Sequence, residues 1–398
     1  MTSQCGPLAG IRIIDMSSML LGPLATGALA DLGADIVKVE PAEGDGRRTI
    51  GPARHPLMTS QFLNMNRGKR SIVVDVKQPR GREVVLRLCR TADAFVHNSR
   101  RKAMEKLRLT YDDVAAVNSA IVYCAAVGFR QGGPYEDKPA YDDMIQGLAA
   151  IPSLQARVGG RPAYVPLNLS DRVCGLVFTQ LILAALLHKQ RTGEGQAVEL
   201  PMFETMAEFV LSEHLCGHVF VPPVGELGAD RMFQRRPART RDGYICFWIG
   251  TDEQYARFMD VIGRPELKGD PRFARRAQRN RNLPQFFDVA DEALGGKTTA
   301  EWISVLSAAD IPAMPLHTLE SLIDDEHLRA TGFFEVSEHP SEGTLCNTRI
   351  ASTWSKTPPA SPGPAPRLGG HTAEILEEAD FTAAEIETLT VTGVVRQA

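Results

Sequence analysis

The stretch "VPLNLSDRVCGLVFTQLILAALLHKQ", residues 165–190, sets a hydroxyl and a carboxylate, Ser170 and Asp171, at the head of an apolar run. Val173, Leu176, Val177, Leu181, Ile182 and Ala185 recur at helical spacing, and His188 and Lys189 close the run. Two roles suit that position. Ser and Asp side chains accept the amide groups that a helix leaves free in its first turn, so the pair reads as an N-cap. A carboxylate kept ionised there by the helix dipole can also be a nucleophile. Basic residues suggest a second chemistry. "NRGKRS" (Asn66–Ser71) precedes one apolar run, "HNSRRKAMEKLRL" (His97–Leu109) follows another, and Lys38 lies in "DIVKVE" just before Glu40. Cations at strand ends suit a phosphorylated ligand, and the alternative is a solvated charged face.

The elements that must hold these residues alternate along the chain. "IRIIDM", "DIVKVE", "RSIVVDV", "AFVHN" and "AIVYCAAVG" read as strands. Between them, "GPLATGALADLGA", "PRGREVVLRLCRTA" and a segment around 111–117 read as helices. Repeated strand–helix–strand units predict an α/β fold: an open, Rossmann-like parallel sheet of the doubly wound type. Such sheets bind ligands outside the carboxyl ends of their strands, which is where Arg100, Arg101, Lys102 and Lys106 follow. After the long helix, "RTGEGQAVELPMFETM" reads as turn, strand and helix. Composition then divides the chain into a large domain over 1–218 and a Pro-, Gly- and Arg-rich connection over 219–243. A small α/β domain over 244–328 follows, then a return segment over 329–398 that includes the Pro-rich stretch 356–370. There is no internal repeat.

The 398 residues are 43% hydrophobic and 23% charged with a formal net charge of −4, which suits a globular chain and argues against a nucleic-acid or acidic-membrane partner. The seven cysteines (Cys5, Cys89, Cys124, Cys174, Cys216, Cys246 and Cys346) are scattered without metal spacing and read as reduced thiols. No secretory leader is recognisable, and no segment is expected to reach the ~18 apolar residues of a membrane helix. A soluble, cytoplasmic protein is the expectation. Glu40 ends the second strand, as the ribose-binding acid of a dinucleotide site does. The turn "SSMLLGPLATG" lacks GxGxxG, however, and Met19, Leu20 and Leu21 would keep a pyrophosphate off the backbone.

Five segments in this order resemble the class III coenzyme A transferases, the CaiB/BaiF family: "PLAGIRIIDMSSMLLGPLATGALADLGADIVKVEPAEGD", "NRGKRSIVVDVK", "YDDMIQG", "LSDRVCGLVFTQLILAALLHKQRTGEGQAVEL" and "LGGHTAEIL". The resemblance runs from residue 7 to about 380. It implies a Rossmann-like large domain formed by both chain ends, a smaller inserted domain, and an interlocked homodimer. It makes Asp171 the nucleophile that attacks an acyl-CoA, gives a mixed anhydride and then carries CoA as an aspartyl thioester. CoA and acyl-CoA are substrates, and no permanently bound cofactor or metal is implied. By position it assigns Leu20, Leu21, Lys38, Val74, Asp75, Val76, Lys77, Asn98, Ser99, Arg100 and Lys106 to CoA. Lys106 stands where the family usually has an arginine, keeping the charge without the planar fork. Pro139, Ala140, Tyr141 and Asp142 line the approach to Asp171. "NSRRKAMEKLRL" departs from the family's usual "NFRPG...RLGL", and only "VGELGADRM" stands near the place of its glycine-rich loop.

The same family contains racemases of 2-methylacyl-CoA, whose histidine base falls at Tyr141. A phenol of pKa about 10 is a poor base at neutral pH, so the transferase is the expected activity and the isomerase its alternative. A non-catalytic CoA-binding relative would lack the nucleophile. Arg235, Arg236, Arg239 and Arg241 could meet an acceptor carboxylate or form solvated surface.

Overall fold

Short Ile- and Val-rich runs become strands here because helices cover both faces of the sheet they form. The computed structural model describes residues 6–359 and 362–398, so Cys5 and part of the Pro-rich stretch lie outside the described residues. Six parallel strands come first: β1 (Arg12–Asp15), β2 (Asp35–Glu40), β3 (Arg70–Val74), β4 (Ala94–His97), β5 (Val122–Val127) and β6 (Gln196–Pro201). The short strands β7 (Ala238–Arg239), β8 (Tyr244–Phe247) and β9 (Ala313–Pro315) form a separate antiparallel sheet. A hairpin of β10 (Phe334–His339) and β11 (Gly343–Thr348) follows. Last comes β12 (Val395–Arg396), which joins the large sheet antiparallel to β3, with Val395 opposite Val74.

The large sheet has seven strands in the order β12-β3-β2-β1-β4-β5-β6. The chain therefore builds outward from β1 in one direction and then from β4 in the other. That reversal, between β1 and β4, is the switch point outside which open parallel sheets bind ligands.

Two compact units contain these sheets. The first runs to Pro152, resumes over Ala163–Val210 and again over Gly332–Ala398. Its core joins Ile14, Val37, Ile72 and Phe95 of the sheet to Leu376 and Leu389 of the helices Thr372–Glu378 and Ala383–Val391. The second unit comprises Ser153–Pro162 and Leu211–Thr331. Tyr255, Phe258, Phe286, Trp302 and Leu306 pack at its centre.

The helix Leu169–Thr192, 24 residues long, belongs to the first unit. Contrary to the sequence expectation, it is long and apolar enough to cross a membrane by length and composition. In this fold it buries Cys174, Phe178, Ile182 and Leu186. A Cβ on its Gly175 would lie 2.6 Å from Leu24 Cδ2 and 3.0 Å from the Leu21 carbonyl oxygen. Glycine thus lets this helix approach the helix Leu21–Asp31 directly after β1. That close contact sets the first turns of the two helices side by side.

Candidate active site

Asp171 does not cap its helix. The helix starts at Leu169 with Asn168 as N-cap, so Ser170 and Asp171 take helical backbone conformations in the first turn. The Asn168 side chain makes no capping bond. Instead a carboxylate from another element satisfies a free amide: Asp171 N–H donates to Asp142 Oδ1 at 3.0 Å. The Ser170 hydroxyl is buried beside it, without a hydrogen-bond partner among the described residues.

Asp142 is itself fixed. It opens the helix Asp142–Leu148, and its Oδ2 accepts from Gln146 Nε2 at 2.6 Å. Gln146 is fully buried and bridges onward, donating to the Leu167 carbonyl at 3.2 Å and accepting from Val165 N–H at 3.1 Å. One glutamine therefore ties the short helix to the segment that leads into Asp171. Gln146 has no role by sequence motif; within "YDDMIQG" its spacing four residues after Asp142 is the signal that marks it. The segment reaches the sheet through Gly128, at the end of β5, where a Cβ would lie 2.3 Å from that of Ala140.

Electrostatics at Asp171 run against the sequence expectation. A helix N-terminus favours the anion, yet the carboxyl is pushed up to about 6. Burial is the main cause and the negative charge of Asp142 the second, while Arg47 acts in the opposite sense. Arg47 went unassigned in the sequence. It is buried, hydrogen-bonds Gln61 through Nη1, and leaves Nε without a partner among the described residues. Its loop is anchored by Asp45, whose Oδ1 accepts from Arg47 N–H at 2.8 Å and from Met19 N–H at 3.1 Å.

The residues assigned to CoA gather at the carboxyl edge of the sheet, with one clear exception. Leu20 and Leu21 are buried where β1 gives way to its helix. Asn98 follows β4 and locks the β1 loop, donating to the Ser18 carbonyl at 2.7 Å and accepting from Ser18 N–H at 2.9 Å. Ser99 N–H donates to His97 Nδ1 at 3.2 Å. That histidine is buried against the Tyr123 hydroxyl, and burial lowers its pKa to about 4, so it is neutral. Arg100 and Lys106 are exposed and carry no ion pair among the described residues. Val74 is buried opposite β12, Asp75 shapes the following turn by accepting from Lys77 N–H, and Lys77 is exposed. Pro139, Ala140 and Tyr141 lead into Asp142, with the Tyr141 side chain exposed.

Lys38 is the exception. It is fully buried within β2, its Nζ pairing with Asp45 Oδ2 at 2.8 Å and donating to the Ser17 carbonyl at 2.9 Å. Burial opposes its charge, but Asp15, Asp45 and Glu40 together raise its pKa. No donor of Lys38 is presented to a ligand. Glu40 is likewise unavailable to a ribose: Arg48 grips both its oxygens, at 2.7 and 2.8 Å, and Ser71 donates to it at 2.6 Å.

The family model described as CoA-transferase family III matches residues 8–372. The succinate–glutarate CoA-transferase of Agrobacterium fabrum is 30% identical, with 98% of each chain covered. A probable fatty acyl-CoA transferase of Mycobacterium tuberculosis is 31% identical over 93% of this chain and 97% of its own. The crystal structure of a CAIB/BAIF family protein from Brucella suis superposes with a TM-score of 0.82 at 28% identity, covering 95% of this chain and all of that one.

Proposed function

The chain belongs to CoA-transferase family III and is a CoA-transferase, and from that premise we propose that Asp171 is its nucleophile. The observation that carries this reading is a half-buried carboxylate on a first helical turn, its amide held by Asp142 and its pKa raised to about 6. Such a group is roughly 90% ionised at pH 7 by its titration, and it is more basic, hence more nucleophilic, than an ordinary aspartate.

In this reading an Asp171 oxygen attacks the thioester carbonyl of the donor. The C–S bond breaks, CoA leaves as thiolate and a mixed anhydride remains. The thiolate then attacks the Asp171 carbonyl, expelling the donor acid and leaving an aspartyl–CoA thioester. An acceptor carboxylate attacks that carbonyl, and thiolate is released again. Thiolate attack on the acceptor's acyl carbon yields the new acyl-CoA and regenerates Asp171. No proton is consumed overall, so the chain's task is to position the reactants and to stabilise transient oxyanions. Arg100 and Lys106, cationic and unpaired, suit the CoA phosphates. Leu20, Leu21 and Asn98 shape the crevice in which the nucleotide would lie. Tyr141 offers an exposed phenol, not an imidazole, which favours transfer over α-proton abstraction. We further propose a cytoplasmic homodimer acting on free acyl-CoA and carboxylic acids. Succinyl-CoA is the first donor to test, since relatives are named for succinate exchange.

The test is chemical trapping. Wild type and Asp171→Ala are incubated with a panel of acyl-CoA donors, treated with hydroxylamine or borohydride, and mapped by peptide mass spectrometry. Modification at Asp171 that is absent from the variant supports the thioester intermediate. If donors bind and none labels Asp171, the reading falls, and deuterium uptake at the acyl α-carbon becomes the measurement.

A further inference from the structure

The second unit holds a cavity of about 360 Å³, at the lower end of small-ligand pockets. Phe247, Trp248, Phe286 and Phe287 give it an aromatic lining, to which Arg235 and Arg276 also belong. Two further arginines in the lining are already used. Arg236 pairs with Asp288 at 2.8 Å and Asp291 at 2.9 Å, and Arg279 pairs with Asp252 at 3.0 Å. Arg235 and Arg276 have no ion pair among the described residues; Arg235 lies 6.0 Å over the Trp248 ring, and only the backbone amide of Arg276 reaches Asp252. Every carboxylate named here is thus committed, leaving two cationic forks beside an apolar, aromatic surface.

We propose that this cavity binds a small carboxylate with an aromatic or branched apolar body. The body would stack on Trp248 and the phenylalanines, and the carboxylate would take the unpaired guanidinium groups. Stacking alone would accept neutral molecules equally; the two arginines select the anion. A free acid of this kind is also the class of molecule that CoA transfer consumes or releases. The site itself consists of second-unit residues and does not rest on the reading of Asp171.

Trp248 provides the readout, because it lines the cavity, whereas Trp302 is buried with its Nε1 donating to the Leu294 carbonyl and Trp354 lies outside the lining. Titration of the full-length protein with phenylacetate is expected to quench tryptophan fluorescence saturably. Phenylacetamide, with the same ring and no charge, should bind ~10-fold more weakly or worse. The double variant Arg235→Gln/Arg276→Gln should lose at least ~10-fold in affinity for phenylacetate, with its thermal transition unmoved because both side chains are exposed. Trp248→Phe should remove the optical signal yet leave heat of binding measurable by calorimetry. Asp171→Asn should bind phenylacetate as wild type does, so failure of this inference and failure of the trapping experiment are separate results. Equal affinity for acid and amide, unchanged affinity in the double variant, or no saturable binding at millimolar acid would each overturn the proposal.

Discussion

Glu40 and Asp171 are both carboxylates of the first unit withdrawn from solvent, Glu40 fully and Asp171 in part, but their neighbours differ. Glu40 meets a guanidinium, a hydroxyl and the Asp45 amide, so each of its oxygens is used. Burial raises its pKa, and the hydrogen bond from Arg48 with the charges of Lys38 and Arg48 more than reverses this, holding it below the usual range. Asp171 has a second carboxylate beside it, with Arg47 as the opposing cation. Asp15 repeats the first pattern: burial is outweighed by Lys69, Lys38, Ser17 and Thr26, and its pKa falls. A buried acid surrounded by donors is a fixed anion that organises the fold. One placed beside another acid keeps its charge less firmly and remains available to react.

The sharpest way to break that contrast is substitution on each side. Asp171→Asn keeps shape and removes the nucleophile, and transfer is expected to fall by about 10⁴-fold or more in a steady-state assay, without loss of thermal stability. The mirror experiment is Arg48→Leu. It takes the paired guanidinium from the buried Glu40, leaving only Ser71, the Asp45 amide and the charge of Lys38 to hold it, and removes the stacking of Arg48 over Phe62 at 3.6 Å. A loss of ~3–5 kcal/mol in denaturant unfolding is expected. If Arg48→Leu proved neutral and Asp171→Asn unfolded the protein, the two sites would have been assigned the wrong way round.

The strand–helix alternation was legible because parallel strands buried on both faces are continuous apolar runs, as "AFVH" and "VYCAAV" are. The C-terminal tail was not: β12 is two residues long, and only its pairing with β3 makes it a strand. Cations were the hardest to read. Lys38, Lys69 and Arg100 look alike in sequence, but the first two are fully buried against Asp45 and Asp15 while Arg100 faces solvent. The acids they pair with lie 7 and 54 residues away in the chain, so no local charge pattern separates them. Asp171 could be located by motif. That its amide is capped by Asp142, and its pKa raised by the same residue, follows from packing that no spacing encodes.

The pH dependence tests the electrostatic half of the contrast. If Asp171 must be ionised to attack, kcat/KM should fall about tenfold per pH unit below about 6. Stability moves in the opposite sense. The folded carboxyl titrates near 6 against an ordinary value of 3.8, so its protonated form favours folding. That contribution is fully present below 3.8 and is lost as pH rises to about 6. Thermal scans across this window should fall less steeply with pH in Asp171→Asn than in wild type.

The smallest effect is the most discriminating. Asp142→Asn removes the negative charge and keeps one oxygen to accept from the Asp171 amide, while its NH2 replaces the oxygen that accepts from Gln146, so that single bond is lost. Burial, the larger cause, is unchanged, so the acid limb of kcat/KM should move to lower pH by less than about one unit. A structural role alone predicts a lower rate at every pH with the limb unmoved. A limb that shifts while the plateau rate holds within about threefold would identify Asp142 as the charge that tunes Asp171. A limb unmoved in both Asp142→Asn and Arg47→Gln would leave burial as the sole determinant, and the likeness between Asp171 and the fixed anion Glu40 would then be closer than their neighbours suggest.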